Sequence, residues 1–344
     1  MPMRLTLLLM MFCATTPVLA SEPTGERKGE VLSEYSPLAE QHEFIRRAML
    51  PTTADRMLRF EAEGGTTIKP HVLDLTREKI DVYIPAKQPK DGYGVLVFVP
   101  PSPSWPVPAD YRRVLDARGL IWVAARESGN NQSAYDRRMP LALHALEWVK
   151  QRYPVDPSRL YISGFSGGGR VAQRLALAYA DVFSGALLIA GNDPFDENGT
   201  VVPPRDIFRK FQSTMRIVHA TGIHDLPNRR HEERTRASMA SFCVAHLFRH
   251  IQQRTEHWIP NRRGFARALE DLETPRDPPA SQAACLAALD AEVSLKLQAV
   301  RDALASERLD EAGELLAKID QRYGGLAAPE SIELAQALAK ARSQ

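Results

Sequence analysis

Val155-Asp156-Pro157-Ser158-Arg159-Leu160-Tyr161-Ile162-Ser163-Gly164-Phe165-Ser166-Gly167-Gly168-Gly169 is the stretch on which the fold turns. Leu160 to Ser163 is a short apolar run of strand character, and Arg170 to Ala180 beyond it repeats apolar residues at helical spacing. Between them Ser166 occupies a G-x-S-x-G pentapeptide, at the junction of strand and helix. A turn that sharp strains the serine backbone, and only neighbours without side chains leave room for it. The hydroxyl then stands clear of the sheet, and the Gly167 N–H at the helix start is set to donate to an oxyanion. The pentapeptide alone is common by chance; its strand-turn-helix setting makes it a nucleophile elbow. The competing reading, a glycine-rich phosphate-binding turn, lacks a following Walker lysine and an acidic ribose partner.

Working outward, further apolar runs read as strands covered on both faces: Gly94 to Val99, Leu120 to Ala125, Gly185 to Ala190 and Met215 to Ala220. Helical patterns separate them, notably Met139 to Tyr153. Alternating strands and helices predict an α/β fold, a doubly wound and mostly parallel sheet. Upstream, Thr67 to Asp74 and Lys79 to Pro85 alternate like exposed antiparallel edge strands, and Pro70 fits an edge. Residues 21–65 read as a polar surface lead-in with a helix over Leu38 to Leu50 that Pro51 ends, and residues 66–277 as the catalytic domain. After Pro278 and Pro279 the chain becomes Ala/Leu/Glu-rich, and residues 280–344 read as a small C-terminal helical hairpin domain of two or three antiparallel helices.

The elbow, its preceding Val155-Asp156-Pro157-Ser158-Arg159 and the following Ala178-Tyr179-Ala180-Asp181-Val182-Phe183 resemble secreted serine esterases of the α/β-hydrolase superfamily, the polyhydroxybutyrate-depolymerase and feruloyl-esterase group. The resemblance covers about residues 93–272. It implies the α/β-hydrolase fold, a small-molecule or polymeric carboxylic ester as substrate, no cofactor, and a triad in the order Ser, Asp, His.

A serine hydroxyl becomes a good nucleophile only when a histidine takes its proton, and the histidine needs a carboxylate to fix its tautomer. Asp225 falls just beyond the Met215 to Ala220 strand, where the family carries its acid in a Gly-x-x-Asp turn. Asp193 and Asp196, after the preceding strand, are its rivals. His257, in Thr255-Glu256-His257-Trp258-Ile259-Pro260, stands where the family places a histidine followed shortly by proline. The second oxyanion donor should come from Pro100-Pro101-Ser102-Pro103-Ser104-Trp105-Pro106, which departs from the His-Gly-Gly type. Prolines have no N–H, so only Ser102, Ser104 and Trp105 can donate from this stretch, and of these Ser102 is the donor expected. Trp105, Asn130 and Phe165 are the substrate-binding candidates. No metal ligand set is evident.

Composition limits the partners. With 44 Lys+Arg against 42 Asp+Glu in 344 residues, the net charge of +2 supplies no concentrated field for nucleic acid. Residues 1–20 place Arg4 before the apolar run Leu7 to Phe12 and end on Val18-Leu19-Ala20, the order of a cleaved signal peptide, which predicts export to periplasm or extracellular space. No later segment is long and apolar enough to span a bilayer. In an oxidising compartment Cys243 and Cys285 are available to pair; two buried free thiols are the alternative. Leu286, Leu289, Val293 and Leu297 share one helix face. Packed on the catalytic domain they brace it; left exposed they would dock a protein partner, and the chain would be a degenerate hydrolase serving as an envelope adaptor.

Overall fold

The computed structural model describes residues 23–195 and 200–344, so the signal-peptide reading and Asp196 lie outside the described residues. Eight described strands form one sheet: β1 (Gly25–Val31), β2 (Lys79–Ile84), β3 (Tyr93–Val99), β4 (Leu120–Ala125), β5 (Val155–Phe165), β6 (Gly185–Ile189), β7 (Arg216–Gly222) and β8 (His246–Gln252). Their order is β1-β2-β4-β3-β5-β6-β7-β8. β2 runs antiparallel to β1 and β4, and every pairing from β4 to β8 is parallel. The described helices are α1 (Gln41–Ala48), α2 (Pro51–Ala62), α3 (Ala109–Arg118), α4 (Met139–Arg152), α5 (Gly167–Ala178), α6 (Arg205–Ser213), α7 (Leu226–Ser241), α8 (Arg262–Glu273), α9 (Gln282–Ala305), α10 (Leu309–Tyr323) and α11 (Glu330–Arg342).

The continuous apolar runs follow from burial on both faces. Val95, Val97 and Val99 of β3 join Ile121 and Val123 of β4 in a core beneath α4 and α5. Leu96 and Phe98 join Leu120 and Trp122 in a second core beneath α3 and α8. The period-two alternation of strand side chains thus sorts one unbroken hydrophobic run onto two covered faces. Each buried Val, Leu or Phe contributes about 1.5–3 kcal/mol relative to exposure. This is the α/β-hydrolase fold: a doubly wound, mostly parallel sheet with the serine-bearing turn at the end of β5.

Four expectations are corrected. The polar lead-in supplies the edge strand β1 and the helices α1 and α2; β1 carries the charged residues Glu26, Arg27, Lys28 and Glu30 on both of its sides, so hydrophobic periodicity misses it. Pro51 does not end a helix but opens α2, where its missing N–H is harmless. Thr67 to Asp74 forms no strand; the segment ends in a 3-10 turn over Leu75–Arg77 capped by Asp74, whose carboxylate accepts from Thr76 N–H at 3.1 Å. β2 is interior rather than edge, because β1 covers it.

The C-terminal region contains three helices, α9 to α11. Leu289, Val293 and Leu297 are buried, with Leu286 partly buried beside them, in the same core that underlies α4 and α5. The stripe that an adaptor would need exposed is therefore covered. Cys243 and Cys285 are bonded, with Cα atoms 5.8 Å apart, joining the segment before β8 to α9. Gln282 donates to the carbonyls of Gln212 and Cys243 at 2.8 and 3.0 Å, and Asp290 pairs with Arg209 at 2.6 Å.

Candidate active site

Ser166 sits between β5 and α5 at φ 55° and ψ −123°, a backbone region that residues with side chains rarely enter. Three glycines make the turn possible. A methyl on Gly164 would lie 2.2 Å from the Gly168 carbonyl oxygen, one on Gly168 2.0 Å from that of Val99, and one on Gly191 1.7 Å from that of Ser166 itself. The Ser166 N–H donates to the Ile189 carbonyl at 2.8 Å, fastening the turn to β6. Gly167 opens α5, where the first N–H groups have no intrahelical acceptor and face outward.

Asp225 ends the turn after β7 and sits at the start of α7, 6% exposed. His257 lies in the loop between β8 and α8. Two backbone bonds lash the loops together: Ile223 N–H donates to Gln252 at 2.9 Å and His224 N–H to Thr255 at 3.1 Å. A side chain on Gly222 would meet the Glu256 carbonyl at 2.1 Å, so that approach also demands glycine. Tyr111, stacked on Phe265 at 3.8 Å, donates its hydroxyl to the Pro260 carbonyl and holds the far end of the histidine loop.

The result is a hydrogen-bonded chain of three side chains. His257 Nε2 lies 2.9 Å from Ser166 Oγ, and His257 Nδ1 lies 2.7 Å from Asp225 Oδ2. An ionised Asp225 can only accept, so Nδ1 carries the proton and Nε2 is left as the acceptor facing the serine. The imidazole is 44% exposed while the carboxylate behind it is buried, which suits a base open to substrate and an orienter shielded from water.

Asn228 escapes the sequence reading. Its side-chain N–H groups donate to Asp225 Oδ1 and Oδ2 at 2.9 and 2.8 Å, and the same nitrogen lies 3.0 Å from His257 Nδ1. The signal was its position three residues after Asp225, one turn into a helix and on the same side.

The remaining candidates distribute unevenly. Asp193 does not reach His257; it is buried against Arg174, Arg170 and His231 at 3.1, 3.4 and 3.3 Å. Phe165 is 4% exposed and lines neither cleft beside the site; its ring packs 4.9 Å from that of His257, so it backs the imidazole rather than meeting a ligand. Ser102 is likewise absent from the cleft wall at Ser166, and its hydroxyl donates to the Ser104 carbonyl at 3.0 Å. Asn130 is there instead: its carboxamide oxygen would lie 2.2 Å from a methyl on Gly167. The loop of Asn130 is tied to the Pro100 loop by Asn130 N–H to the Pro101 carbonyl at 2.9 Å. Its anchoring explains why the proline-rich segment, poor in donors, is paired with a second loop at the site.

Two clefts flank the histidine. One, about 490 Å³, contains Ser166, Gly167 and Asn130 together with Arg138, Arg170 and Arg174. The other, about 1070 Å³, is walled by Trp105, Trp258 and Ile259 and does not include Ser166. Trp105 and Trp258 lie 5.9 Å apart, both against Phe165, and Trp258 is well exposed. No residue of α9 to α11 lines either cleft.

The sheet order, the elbow after β5 and the serine-histidine-aspartate chain define the class: an α/β-hydrolase fold carrying the side-chain arrangement of a serine hydrolase. No family model matches the chain, and no curated protein matches it. Among solved structures it is similar to S-formylglutathione hydrolase from Staphylococcus aureus, at 11% identity and TM-score 0.42, over 56% of this chain and 90% of that one. It is also similar to Est1E from Butyrivibrio proteoclasticus, at 14% identity and TM-score 0.42, over 59% of this chain and 98% of that one. A third likeness is to a ferulic acid esterase, at 13% identity and TM-score 0.44, over 56% of this chain and 89% of that one.

Proposed function

We propose that this protein is an exported serine hydrolase that cleaves carboxylic esters through an acyl-enzyme. The observation that carries the reading is the unbroken chain from Ser166 Oγ to His257 at 2.9 Å and on to Asp225 at 2.7 Å. Ser166 Oγ attacks the ester carbonyl as His257 Nε2 takes its proton; an O–C bond forms and the carbonyl becomes an oxyanion. The Gly167 N–H, with the Asn130 carboxamide beside it, stabilises that oxyanion. Collapse breaks the bond to the alcohol, which leaves with the proton from His257. Water then repeats the sequence on the acyl-serine and releases the acid. Asp225 orients His257 and balances its charge, and Asn228 holds Asp225.

Export is supported by the signal-like order of residues 1–20 and by the Cys243–Cys285 bond, since such bonds persist in oxidising compartments. Among the described residues no helix is long and apolar enough to cross a membrane. The test is hydrolysis of p-nitrophenyl esters from acetyl to octanoyl by the mature chain and by Ser166→Ala. Turnover that disappears in the variant is expected. A folded protein that neither turns over any ester nor is labelled at Ser166 by a fluorophosphonate would overturn the reading.

A further inference from the structure

The two edges of the sheet treat their charges differently. At β1, Arg27 pairs with Glu30 at 2.7 Å, and Glu26 takes Lys28 and Arg112 at 3.4 and 2.8 Å, so this edge neutralises itself. At the opposite edge β8 pairs with β7 alone. Its residues 247–251 are half-buried, whereas β3, β4, β6 and β7 are buried throughout. Alternate residues of such an edge strand turn both N–H and C=O away from the sheet. Among the described residues no backbone group beyond β7 bonds to residues 247–251.

A groove of about 740 Å³ runs along this edge. Residues 249–254 line it without a gap, and α8 adds Arg263 and Arg267. Side chains on one face of a strand recur at every second residue, so an unbroken run means that the groove follows the edge of β8 and not one of its faces. Among the described residues no carboxylate lines it. Arg249 is held by Glu232 and Glu233 at 2.9 and 3.0 Å, and His250 by Asp271 at 2.8 Å. Arg254, Arg263 and Arg267 are exposed, and among the described residues no carboxylate pairs with them. Charges that guard an edge against unwanted pairing stand on the strand itself, as at β1. Here two of the three stand on the helix alongside, where they face whatever lies in the groove.

We propose that the β8 edge receives an extended acidic segment of a partner protein, added to the sheet as one more strand with carboxylates at alternate positions on Arg263 and Arg267. Strand addition uses N–H and C=O groups at strand spacing, which another peptide backbone matches and a sugar chain or lipid surface does not. Arg263 and Arg267 lie one helical turn apart, about 6 Å along the axis. Side chains on one face of a strand repeat at about 6.6 Å. Acidic residues at i and i+2 therefore meet both guanidinium groups as charge-assisted pairs, and Arg254 at the end of the groove takes a third. The groove shares no lining residue with the cleft of Ser166, so a docked segment leaves the nucleophile open and the surface stands apart from the hydrolase reading.

The experiment titrates the mature protein with a fluorescein-labelled octapeptide of alternating Asp and Thr, read by fluorescence anisotropy at low salt. Two further ligands separate backbone from charge: the same peptide N-methylated at alternate amides, and an oligogalacturonate of equal charge. We expect the unmodified peptide to bind about tenfold more tightly than either. Replacing both helix arginines, Arg263→Gln with Arg267→Gln, should weaken it about tenfold, and Arg112→Gln at the β1 edge should leave it unchanged. Outward-facing amides within residues 247–251 should exchange readily in the protein alone and become protected in the complex. Ser166→Ala should bind the peptide as the wild-type protein does. Equal affinity for the N-methylated peptide or the oligogalacturonate would overturn strand addition. Binding that survives the double arginine replacement, or protection that falls outside residues 247–251, would overturn the placement. No binding of the unmodified peptide would overturn the surface altogether, and none of these outcomes bears on ester turnover.

Discussion

The turn at Ser166 and the helices beyond residue 280 are held by opposite means. At the turn nothing but backbone fits: added methyl groups on Gly164, Gly168 and Gly191 would stand 1.7 to 2.2 Å from carbonyl oxygens. In α9 to α11, Leu289, Val293, Leu297 and Leu316 fill the space, aided by Asp290 ion pairs and one disulfide. Contacts between flexible side chains can relax when one partner shrinks, whereas a carbonyl fixed in a sheet cannot step aside. The first construction sets a nucleophile to within tenths of an ångström; the second holds a mass in place. Substitutions in the two regions should therefore fail differently, one all at once and the other by degrees.

The largest effect is expected at the turn. Ser166→Ala should cost about 10⁴-fold or more in ester hydrolysis with Tm unchanged, because the serine's backbone neighbours are untouched. Gly191→Ala should lose comparable activity and lower Tm as well, since its methyl meets the Ser166 carbonyl. An active, stable Gly191→Ala protein would show that the turn has slack and would break the contrast. Next comes the disulfide. Replacing Cys243 and Cys285 together by Ser opens a loop of 42 residues and should cost about 4 kcal/mol, read as a lower denaturation midpoint. Ester kcat/KM in the same variant should stay within twofold, because no residue of α9 lines either cleft.

Asn228 sharpens the comparison on a finer scale. It touches no bond that breaks; it donates to both oxygens of Asp225 at 2.9 and 2.8 Å. Asn228→Ala should lower kcat about tenfold, corresponding to one lost charge-assisted bond, and leave KM nearly constant. A change confined to KM would mean that Asn228 contacts substrate rather than positioning the acid.

What could be read in the sequence divides along the same line. The elbow and the buried strands announce themselves locally, because close backbone approach selects glycine and two-sided burial selects unbroken apolar runs. Ser166 could be named from its strand-turn-helix setting, and Asp225 and His257 because each follows a strand at a place where the resembled esterases carry their acid and base. β1 could not, because this edge strand is charged on both sides and has no hydrophobic period. The meeting of Arg138, Arg170 and Arg174 in the cleft of Ser166 was hidden for another reason: the segment before α4 and two turns of α5 converge only in three dimensions. Ser102 was reached by counting available N–H groups in one loop, which says nothing about the neighbouring loop that delivers Asn130 to the site. Local demands are written locally; pairings between distant loops are not.

The smallest effect concerns α1, which like the C-terminal helices is held by side chains. Arg47 is buried and bonds Asp181 at 2.6 Å and the Ala178 carbonyl at 3.1 Å, tying α1 to the end of α5, while Glu43 bonds both Arg46 and Arg47. The Arg46 hydrogen bond, followed by that of Arg47, holds the Glu43 carboxyl down at about 2 against burial that would raise it. Its folded pKa therefore lies below the ordinary 4.5, so folding binds fewer protons than unfolding at this group. The stability it contributes is complete above about pH 4.5 and is lost as pH falls through about 2. Glu43 is partly solvated, which screens the pair, and the contribution is about 1 kcal/mol or less. Glu43→Gln should accordingly lower the urea midpoint slightly at pH 6 and flatten its decline between pH 4.5 and 2, while the wild-type curve keeps falling. Identical acid limbs in the two proteins would show that Asp181, whose carboxyl the Arg47 bond also holds below its usual range, anchors α1 alone. Either way the loss is graded, as a contact between mobile side chains should be, and unlike the abrupt failure expected where backbone meets backbone at Gly191.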